Sequence, residues 1–437
     1  MTARAVLVAG LLVVAASLTA ATPVHAAMAR EIGIGSLPRG GSYVVDPDPT
    51  IASSAIGLWF RAPGAGYDNA TPGLSNLAAT SAAVAPLASG KSLYALVHSL
   101  GGQVNIAVYP DIVGVGAVVP ASAARRVVAA MTAAYFAPSI DDTAVKTARA
   151  NAAVLGVQQR YQSDQTLHDL LFKQIFASGP AVFPALPTSI PQLTSITTAQ
   201  VRSFAQRAFR SGNAVLTLTG NVDASTVSAV TDGGGGAMDQ PYDSTPAPAP
   251  AAATVSGSVD GVGLAWIGPP ISDQRAATAL DFVADYLFRE ATGVVWRGLD
   301  TANSDALVLG QFITLHNPGV MVVTIGGDHE KQAEKRVLDS LETMRQPLDK
   351  KTFDAAREAF LYHVATDTQT PQQRADNFGW YTVEGNPQYA PGISGGAYDE
   401  VARSLDPEYV ASVVRRYLDK PIVVDLIAVP AQKGSTP

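Results

Sequence analysis

A helix followed at once by a strand occurs twice in this chain, near its middle and at its end, and this repeat limits the possible folds most. Thr197–Phe209 is predicted to form an amphipathic helix that opens with a Thr197/Gln200 capping box, and Ala214–Thr219 is predicted to form the strand. Residues 406–428 have the same order of elements. The apolar positions correspond pairwise: Val201, Phe204 and Phe209 to Val410, Val413 and Leu418. We therefore predict a duplicated domain.

The segments between the repeated units predict the fold class. Two hairpins are indicated, one around Pro110 and Asp111 and one across Asn317, Pro318 and Gly319. Helical patterns surround both hairpins. They cover 87–100, 122–136, 142–176, 273–290, 330–344 and 351–365. Antiparallel hairpins mixed with pairs of helices predict an α+β fold rather than a parallel doubly wound sheet.

Length and composition set the domain organisation. The chain has 437 residues, of which 47% are hydrophobic, enough for two cores of ordinary size. We expect an N-terminal domain over 30–230, a linker over 231–256 and a C-terminal domain over 257–437. The linker contains four consecutive glycines and the run PAPAPAAAT, a composition that does not form a core.

The first 26 residues have the pattern of a secretory signal peptide. Arg4 precedes an apolar run from Ala5 to Leu18, and small residues lead to Ala26. We expect cleavage after Ala26 and a periplasmic or secreted protein. The alternative is a membrane anchor, but the run is short for a bilayer, and no later segment is long and apolar enough to span one.

Charge and cysteine content exclude several classes of protein. The net charge is -7 and no basic stripe is evident, which argues against a nucleic-acid partner. The chain has no cysteine, so it has neither a disulfide framework, a thiolate metal site nor a cysteine nucleophile.

The segment TPGLSNLAAT, residues 71–80, is predicted to open a helix, with Thr71 as its cap and Pro72 in its first turn. Asn76, Ala79 and Thr80 lie at i, i+3 and i+4, so their side chains share one face. With the residues before them they resemble the start of the inverted zinc motif, H-x-x-E-H, of the pitrilysin and insulinase family, which includes the mitochondrial processing peptidases. The resemblance places Asn76 and Thr80 at the two zinc-binding histidines and Ala79 at the glutamate that activates water.

The residues that the family uses for metal chemistry are therefore missing. The resemblance also implies a third zinc ligand, a glutamate near residues 154–158, where this chain reads VLGVQ. No glutamate occurs between Glu31 and Glu290, so no shift of the alignment in the N-terminal half supplies the ligand or the base. We expect no metal and no cofactor in this chain, and no catalytic residue.

One pair of residues matches the family in the C-terminal half. Arg374 and Tyr381 are seven residues apart, nearly two helical turns, and so lie on one face of a helix. They resemble the Arg and Tyr of active members, which hold a substrate carbonyl and the oxyanion formed from it. The alternative is a surface arginine and a core tyrosine. We predict Arg374 and Tyr381 as substrate-binding residues.

The resemblance implies two homologous domains, each a mainly antiparallel sheet with packed helices, that form half of a clamshell. It also implies a partner, because in paired members one subunit carries the zinc motif and the other does not. The sequence therefore predicts a non-catalytic subunit that assembles with a zinc-bearing homologue around a peptide substrate. The alternative is a homodimeric peptide-binding or scaffold protein, as in the core subunits of a respiratory complex. A protease with a relocated site is disfavoured by the glutamate-free half.

Overall fold

The protein is described by a computed structural model that covers residues 32–67, 71–176, 190–241, 252–301, 305–327, 329–385, 389–393 and 396–429. The predicted signal peptide, residues 1–26, lies outside the described residues. Among the residues that are described, no helix is both long enough and apolar enough to cross a bilayer.

The first sheet has six strands in the order β1-β2-β6-β3-β5-β4. Its strands are β1 (Gly33–Ser36), β2 (Ser42–Pro47), β3 (Ser53–Arg61), β4 (Gln103–Val108), β5 (Ile112–Pro120) and β6 (Ala214–Gly220). All neighbours are antiparallel except β2 and β6, which run parallel. The strand β4 ends the sheet and has β5 as its neighbour on one side.

The helices of the first half begin with α1 and end just before β6. They are α1 (Leu74–Val84), α2 (Leu93–Ser99), α3 (Ala124–Phe136), α4 (Asp142–Gln159), α5 (Ser163–Ile175), α6 (Ile190–Leu193) and α7 (Thr198–Ala208). Alternate residues of β3 face opposite sides of the sheet. Leu58 and Phe60 belong to one core with Leu77 of α1 and Tyr135 of α3, and Trp59 faces the other side.

The second sheet has five strands in the order β7-β11-β8-β10-β9. Its strands are β7 (Ala252–Gly257), β8 (Gly261–Ile267), β9 (Leu307–Ile313), β10 (Val320–Gly326) and β11 (Ile422–Ala428). Its helices are α8 (Gln274–Phe288), α9 (Val294–Thr301), α10 (Glu330–Met344), α11 (Lys350–Thr366), α12 (Pro371–Val383), α13 (Ala397–Arg403) and α14 (Pro407–Tyr417).

The two sheets repeat one topology. In each, one parallel pair is followed by three antiparallel steps, so that β2, β6, β3, β5 and β4 correspond to β7, β11, β8, β10 and β9. Within the described part of the chain, each sheet is accompanied by seven helices in the same order. The observed α+β fold agrees with the prediction, and the two repeated units end as the sequence indicated, in α7 with β6 and in α14 with β11.

One helix of each half packs on the sheet of the other half. The side chains of α5 join a core cluster with residues of β8, β10 and β11. In the opposite direction, α12 lies against β3 and β6: Gly379 approaches Trp59 so closely that an added Cβ would lie 2.0 Å from the indole nitrogen. The helix that carries Arg374 and Tyr381 is therefore held between the two halves.

Several local predictions were wrong in detail. Gly73, with a φ of 84°, is the N-cap of α1, and Thr71 stands outside the helix. The predicted helix over 87–100 begins at Leu93, after Ser92, whose side chain caps it. The long helical region 142–176 is two helices, because the chain turns between Gln159 and Ser163.

The predicted linker is structured in the parts that are described. Gly236 donates its N–H to the carbonyl of Arg39, and the Asp239 N–H bonds the side chain of Asn213. Residues 252–256 belong to β7, which pairs in parallel with β11. Residues 242–251 lie outside the described residues.

Candidate functional site

The three positions that correspond to the zinc motif lie on α1, as predicted. Asn76 and Thr80 are half-buried, and Ala79 is fully buried, with its carbonyl accepting a hydrogen bond from the Tyr135 hydroxyl at 2.9 Å. None of the three side chains can supply an imidazole or a carboxylate. Among the described residues, no group of three or more His, Cys, Asp or Glu side chains could hold a metal ion.

The expected region of the third ligand, the end of α4, carries exposed apolar side chains. Val154, Leu155 and Val157 are 60%, 50% and 52% exposed, and Gly156 between them is buried. These residue types have no affinity for zinc, which prefers nitrogen, sulfur and carboxylate oxygen ligands.

Arg374 sits near the start of α12, where Thr370 and Gln373 form a capping box and Pro371 occupies the first turn. Its side chain is buried. Its Nε lies 2.6 Å from an oxygen of Asp46, a second nitrogen lies 3.6 Å from Asp48, and a third bonds the carbonyl of Gln369 at 2.8 Å. The guanidinium therefore joins α12 to the end of β2.

Tyr381 is also buried, but in different surroundings. Its ring centroid is 5.7 Å from that of Tyr389, and burial raises the pKa of its hydroxyl well above 10, with Asp281 adding to the effect. Tyr381 lines a cavity of about 850 Å³, whereas Arg374 lines another of about 600 Å³. The helix carries both residues, but the structure does not bring them to one cavity. Their role in substrate binding stays a prediction.

A buried group of charged side chains, which sequence reasoning missed, joins the two halves near the end of α12. The Asp111 carboxylate accepts the N–H of His316 at 3.1 Å, and the His316 ring lies 3.5 Å from the carboxylate of Glu384. Burial raises the pKa of Glu384 to about 7, against the opposing charge of Arg61. Burial also raises the pKa of Asp111, and the Glu384 charge adds to this. Only the hairpin signal at Pro110 and Asp111 hinted at this place.

A groove beside β4 is the second feature that our reading of the sequence missed. Two cavities, of about 480 and 250 Å³, follow one another between this edge strand and α12, and Asn105 and Gly116 line both. The glycines of β5 leave room that side chains would fill. The signal was present in the alternation of β5, IVGVGAVV, whose Gly114 and Gly116 point to one face.

The groove is called the β4 groove below. Its lining residues come from β4 and its flanks, from β5, from β3 and from α12. They are Gly101, Gly102, Gln103, Val104, Asn105, Ala107 and Tyr109 in or beside β4, Gly114, Gly116, Ala117 and Val118 of β5, Trp59 of β3, and Gln372, Asp376, Asn377 and Trp380 of α12. It adjoins the 850 Å³ cavity, because Tyr109, Asn377 and Trp380 line both.

Comparisons with known proteins agree with the fold described above. Residues 195–360 match the family model described as Peptidase M16 inactive domain. This segment of the chain is thus similar to an M16 inactive domain. The match begins just before α7 and ends within α11, so it includes the close of one half and much of the next. The resemblance to the pitrilysin and insulinase family, which is M16, is confirmed.

Solved structures share this fold over nearly the whole chain. A protease from Helicobacter pylori has a TM-score of 0.76 at 14% identity, covering 92% of this chain and 100% of that one. An M16 inactive domain from Pseudomonas fluorescens has a TM-score of 0.72 at 18% identity, covering 92% and 99%. A chain of complex III2 from Candida albicans has a TM-score of 0.73 at 10% identity, covering 91% and 96%. Among curated proteins, none matches the sequence.

Proposed function

We propose that this protein is the non-catalytic subunit of a zinc peptidase and that it holds the peptide substrate in extended form along β4. The observation that carries this proposal is that β4 is an edge strand with a groove running beside it. An edge strand presents unpaired backbone donors and acceptors on its outer side, and an extended peptide can add to it as a further strand.

The β4 groove supports this mode of binding because it lies along the same strand. Residues 103, 105 and 107 alternate with Val104 and Ile106, which pack against the core. In a peptide paired with β4, alternate side chains would point to the groove face, while the others would point away. The backbone would give affinity and the groove would give selectivity.

The absence of ligands on α1 supports a partner. Asn76, Ala79 and Thr80 supply neither zinc ligand nor general base, so hydrolysis requires a subunit that brings its own H-x-x-E-H motif. The expected partner is therefore a zinc-bearing homologue, and zinc belongs to that subunit. The exposed apolar residues at the end of α4 are consistent with burial in an assembly.

The alternative is a peptide-binding or scaffold protein that forms a homodimer. One structural neighbour is a chain of complex III2, and this supports the scaffold alternative. Copurification from the native host separates the two proposals: a zinc-bearing M16 homologue in the complex supports the heterodimer, and a complex containing this chain alone supports the homodimer.

The direct test of the proposed function is peptide turnover. The chain and its copurified homologue are expected to cleave unstructured peptides together, whereas this chain alone is inactive and contains well under one equivalent of zinc. Adding a bulky residue on the edge, as in Ala107→Trp, should weaken peptide binding without changing assembly. Full turnover by the homologue alone would reject the proposal.

The predicted signal peptide would place this assembly outside the cytoplasm. We expect the exported chain to begin at Ala27, which intact mass determines. Retention of the full-length chain in the cytoplasm would contradict the periplasmic or secreted location.

A further inference from the structure

The smaller cavity of the β4 groove has the composition of a site for a cation. It has a volume of about 250 Å³ and is lined by three aromatic residues, Trp59, Tyr109 and Trp380, together with one carboxylate, Asp376. Whole small-molecule sites usually have about 300 to 1,000 Å³. The cavity is therefore of a size for one side chain rather than for a whole ligand.

The aromatic rings are held in place by a hydrogen bond to a residue outside the cavity and by contacts with one another. The Trp380 indole donates its N–H to the carbonyl of Thr314 at 2.7 Å. The Tyr109 ring lies 4.5 Å from that of Trp380 at 87°, and the Trp59 ring lies 6.2 Å from it at 74°. Such rings attract a cation placed over their faces, and tryptophan does so most strongly.

Among the described residues, Asp376 is the only acidic or basic side chain that lines this cavity. It is half-buried on α12, and a Cβ added at Gly116 of β5 would lie 4.0 Å from its Oδ1. Burial raises the pKa of Asp376 to about 6, so the carboxylate is mostly ionised at neutral pH. A partly buried carboxylate beside three rings favours a positively charged guest.

We propose that this cavity binds one arginine side chain of the peptide held on β4, an inference that rests on the proposed function. A guanidinium is planar, stacks on aromatic rings and donates several hydrogen bonds. Asp376 would accept from it as an anion, and the amide oxygens of Asn105 and Asn377, which line the same cavity, would accept further bonds. Asp376 is thus the residue that determines specificity at this subsite.

The test compares two peptides that differ only in charge. Each has nine residues of alanine, serine and threonine, is blocked at both ends, carries a fluorophore, and has either arginine or citrulline at its centre. Citrulline keeps the shape of arginine but is neutral. Binding to the full chain is measured by fluorescence anisotropy. We expect the arginine peptide to bind about tenfold to a hundredfold more tightly, as for hydrogen bonds to charged groups.

Two variants locate the effect. Asp376→Asn should remove the preference for arginine while leaving the affinity for the citrulline peptide unchanged, and Asn105→Asp, which adds a second carboxylate to the cavity, should increase the preference. Glu358→Gln, at an exposed position on α11, is the control and should change neither affinity.

The outcomes separate the two proposals. Equal binding of both peptides to the unmodified chain, or a preference that persists in Asp376→Asn and is not raised by Asn105→Asp, would overturn the arginine subsite while leaving peptide binding intact. If neither peptide binds while the protein remains folded, the proposed peptide-binding function fails as well.

Discussion

The helices α5 and α12 occupy the same place in the two repeats, and each crosses to the sheet of the other half, but their chemistry differs. Leu167, Leu171 and Phe172 of α5 join a closed core with residues of the second sheet. In α12, by contrast, Arg374 is paired with carboxylates and Asp376 lines an open groove. The duplicated fold thus uses one helix to close a sheet and the other to build a groove beside an edge strand.

The two helices thus share a place in the fold but differ in their surroundings. A duplicated fold gives both helices the same opportunity to bury apolar surface. Both helices keep buried polar side chains, Asp169 on α5 and Arg374 on α12, but α12 also leaves space beside the glycines of β5. The following variants test whether α12 is a structural element, a binding element or both.

The largest effect is expected for Arg374→Ala. It removes the guanidinium from the buried carboxylates of Asp46 and Asp48, and breaking a buried ion pair from one side costs about 3 to 5 kcal/mol in the free energy of unfolding. Urea unfolding measures this loss. The sequence predicts Arg374 as a substrate-binding residue, but the burial of this side chain makes stability the first readout.

The control for this variant is Arg403→Ala. Arg403 lies 3.5 Å from Asp399, but its side chain is 55% exposed, so the expected loss is at most about 1 kcal/mol. Similar small losses in both variants would show that Arg374 does not hold α12 on the first sheet. Its role in binding substrate would then be the stronger explanation of its position.

Leu171→Ala tests the closed side of the comparison. Leu171 is fully buried, and an added Cβ at Gly263 of β8 would lie 2.9 Å from its Cδ1. The leucine side chain therefore fills the space that the glycine leaves. Removing the side chain should lower the free energy of unfolding by about 2 to 5 kcal/mol. Leu155→Ala, at an exposed position on α4, should change it by less than about 0.5 kcal/mol. Equal effects would contradict a closed core under α5.

Glu384→Gln tests the charged group where α12 ends. The pKa of Glu384 is about 7 in the folded protein, above its ordinary 4.5, so the folded state keeps a proton that the unfolded chain releases. The contribution of Glu384 to stability is therefore largest below about pH 4.5 and is lost as the pH rises to about 7. The groups that face Glu384 are Arg61, Asp111 and His316, with Asp239 beyond Arg61.

The variant cannot lose this proton and should be more stable than the unmodified protein above pH 7. The gain is at most about 3.5 kcal/mol, since each unit by which the pKa rises corresponds to about 1.4 kcal/mol. Thermal unfolding at pH 4.5 and pH 8 measures it. Glu358→Gln serves as the exposed comparison, and a gain that does not depend on pH would exclude titration of Glu384 as its cause.

The sequence predicted most of the fold because the repeated elements are encoded by patterns of neighbouring residues. The hairpin around Pro110, the Thr197 capping box and the closing unit 406–428 each follow from neighbouring residues. The missing zinc ligands could also be predicted, since Asn76, Ala79 and Thr80 are visible without a structure. The helix spacing placed Arg374 and Tyr381 on one helix.

What the sequence could not give depends on contacts between the halves. Helical spacing does not reveal that Arg374 meets Asp46, a residue 328 positions earlier, or that Tyr381 lines a different cavity. The groove likewise combines β4 and β5 of one half with α12 of the other. Asp376 had no signal of its own, because one carboxylate on a helix is more often a solvated surface group.

The smallest effect on stability, and the one that best separates a groove from a core, is expected for Asp376→Asn. The pKa of Asp376 is raised by burial from 3.8 to about 6, so its ionised form is disfavoured in the folded chain, and the cost grows as the pH rises from about 4 to about 6. Asparagine has the same shape without the charge. The variant should therefore be slightly more stable at pH 8, by about 1 kcal/mol or less because the group is partly solvated, and unchanged at pH 3.5. A carboxylate that lowers stability and yet improves binding of an arginine peptide is what a binding residue should show. A loss of stability at pH 8 would instead assign Asp376 to the support of α12, and the two crossing helices would then differ only in polarity.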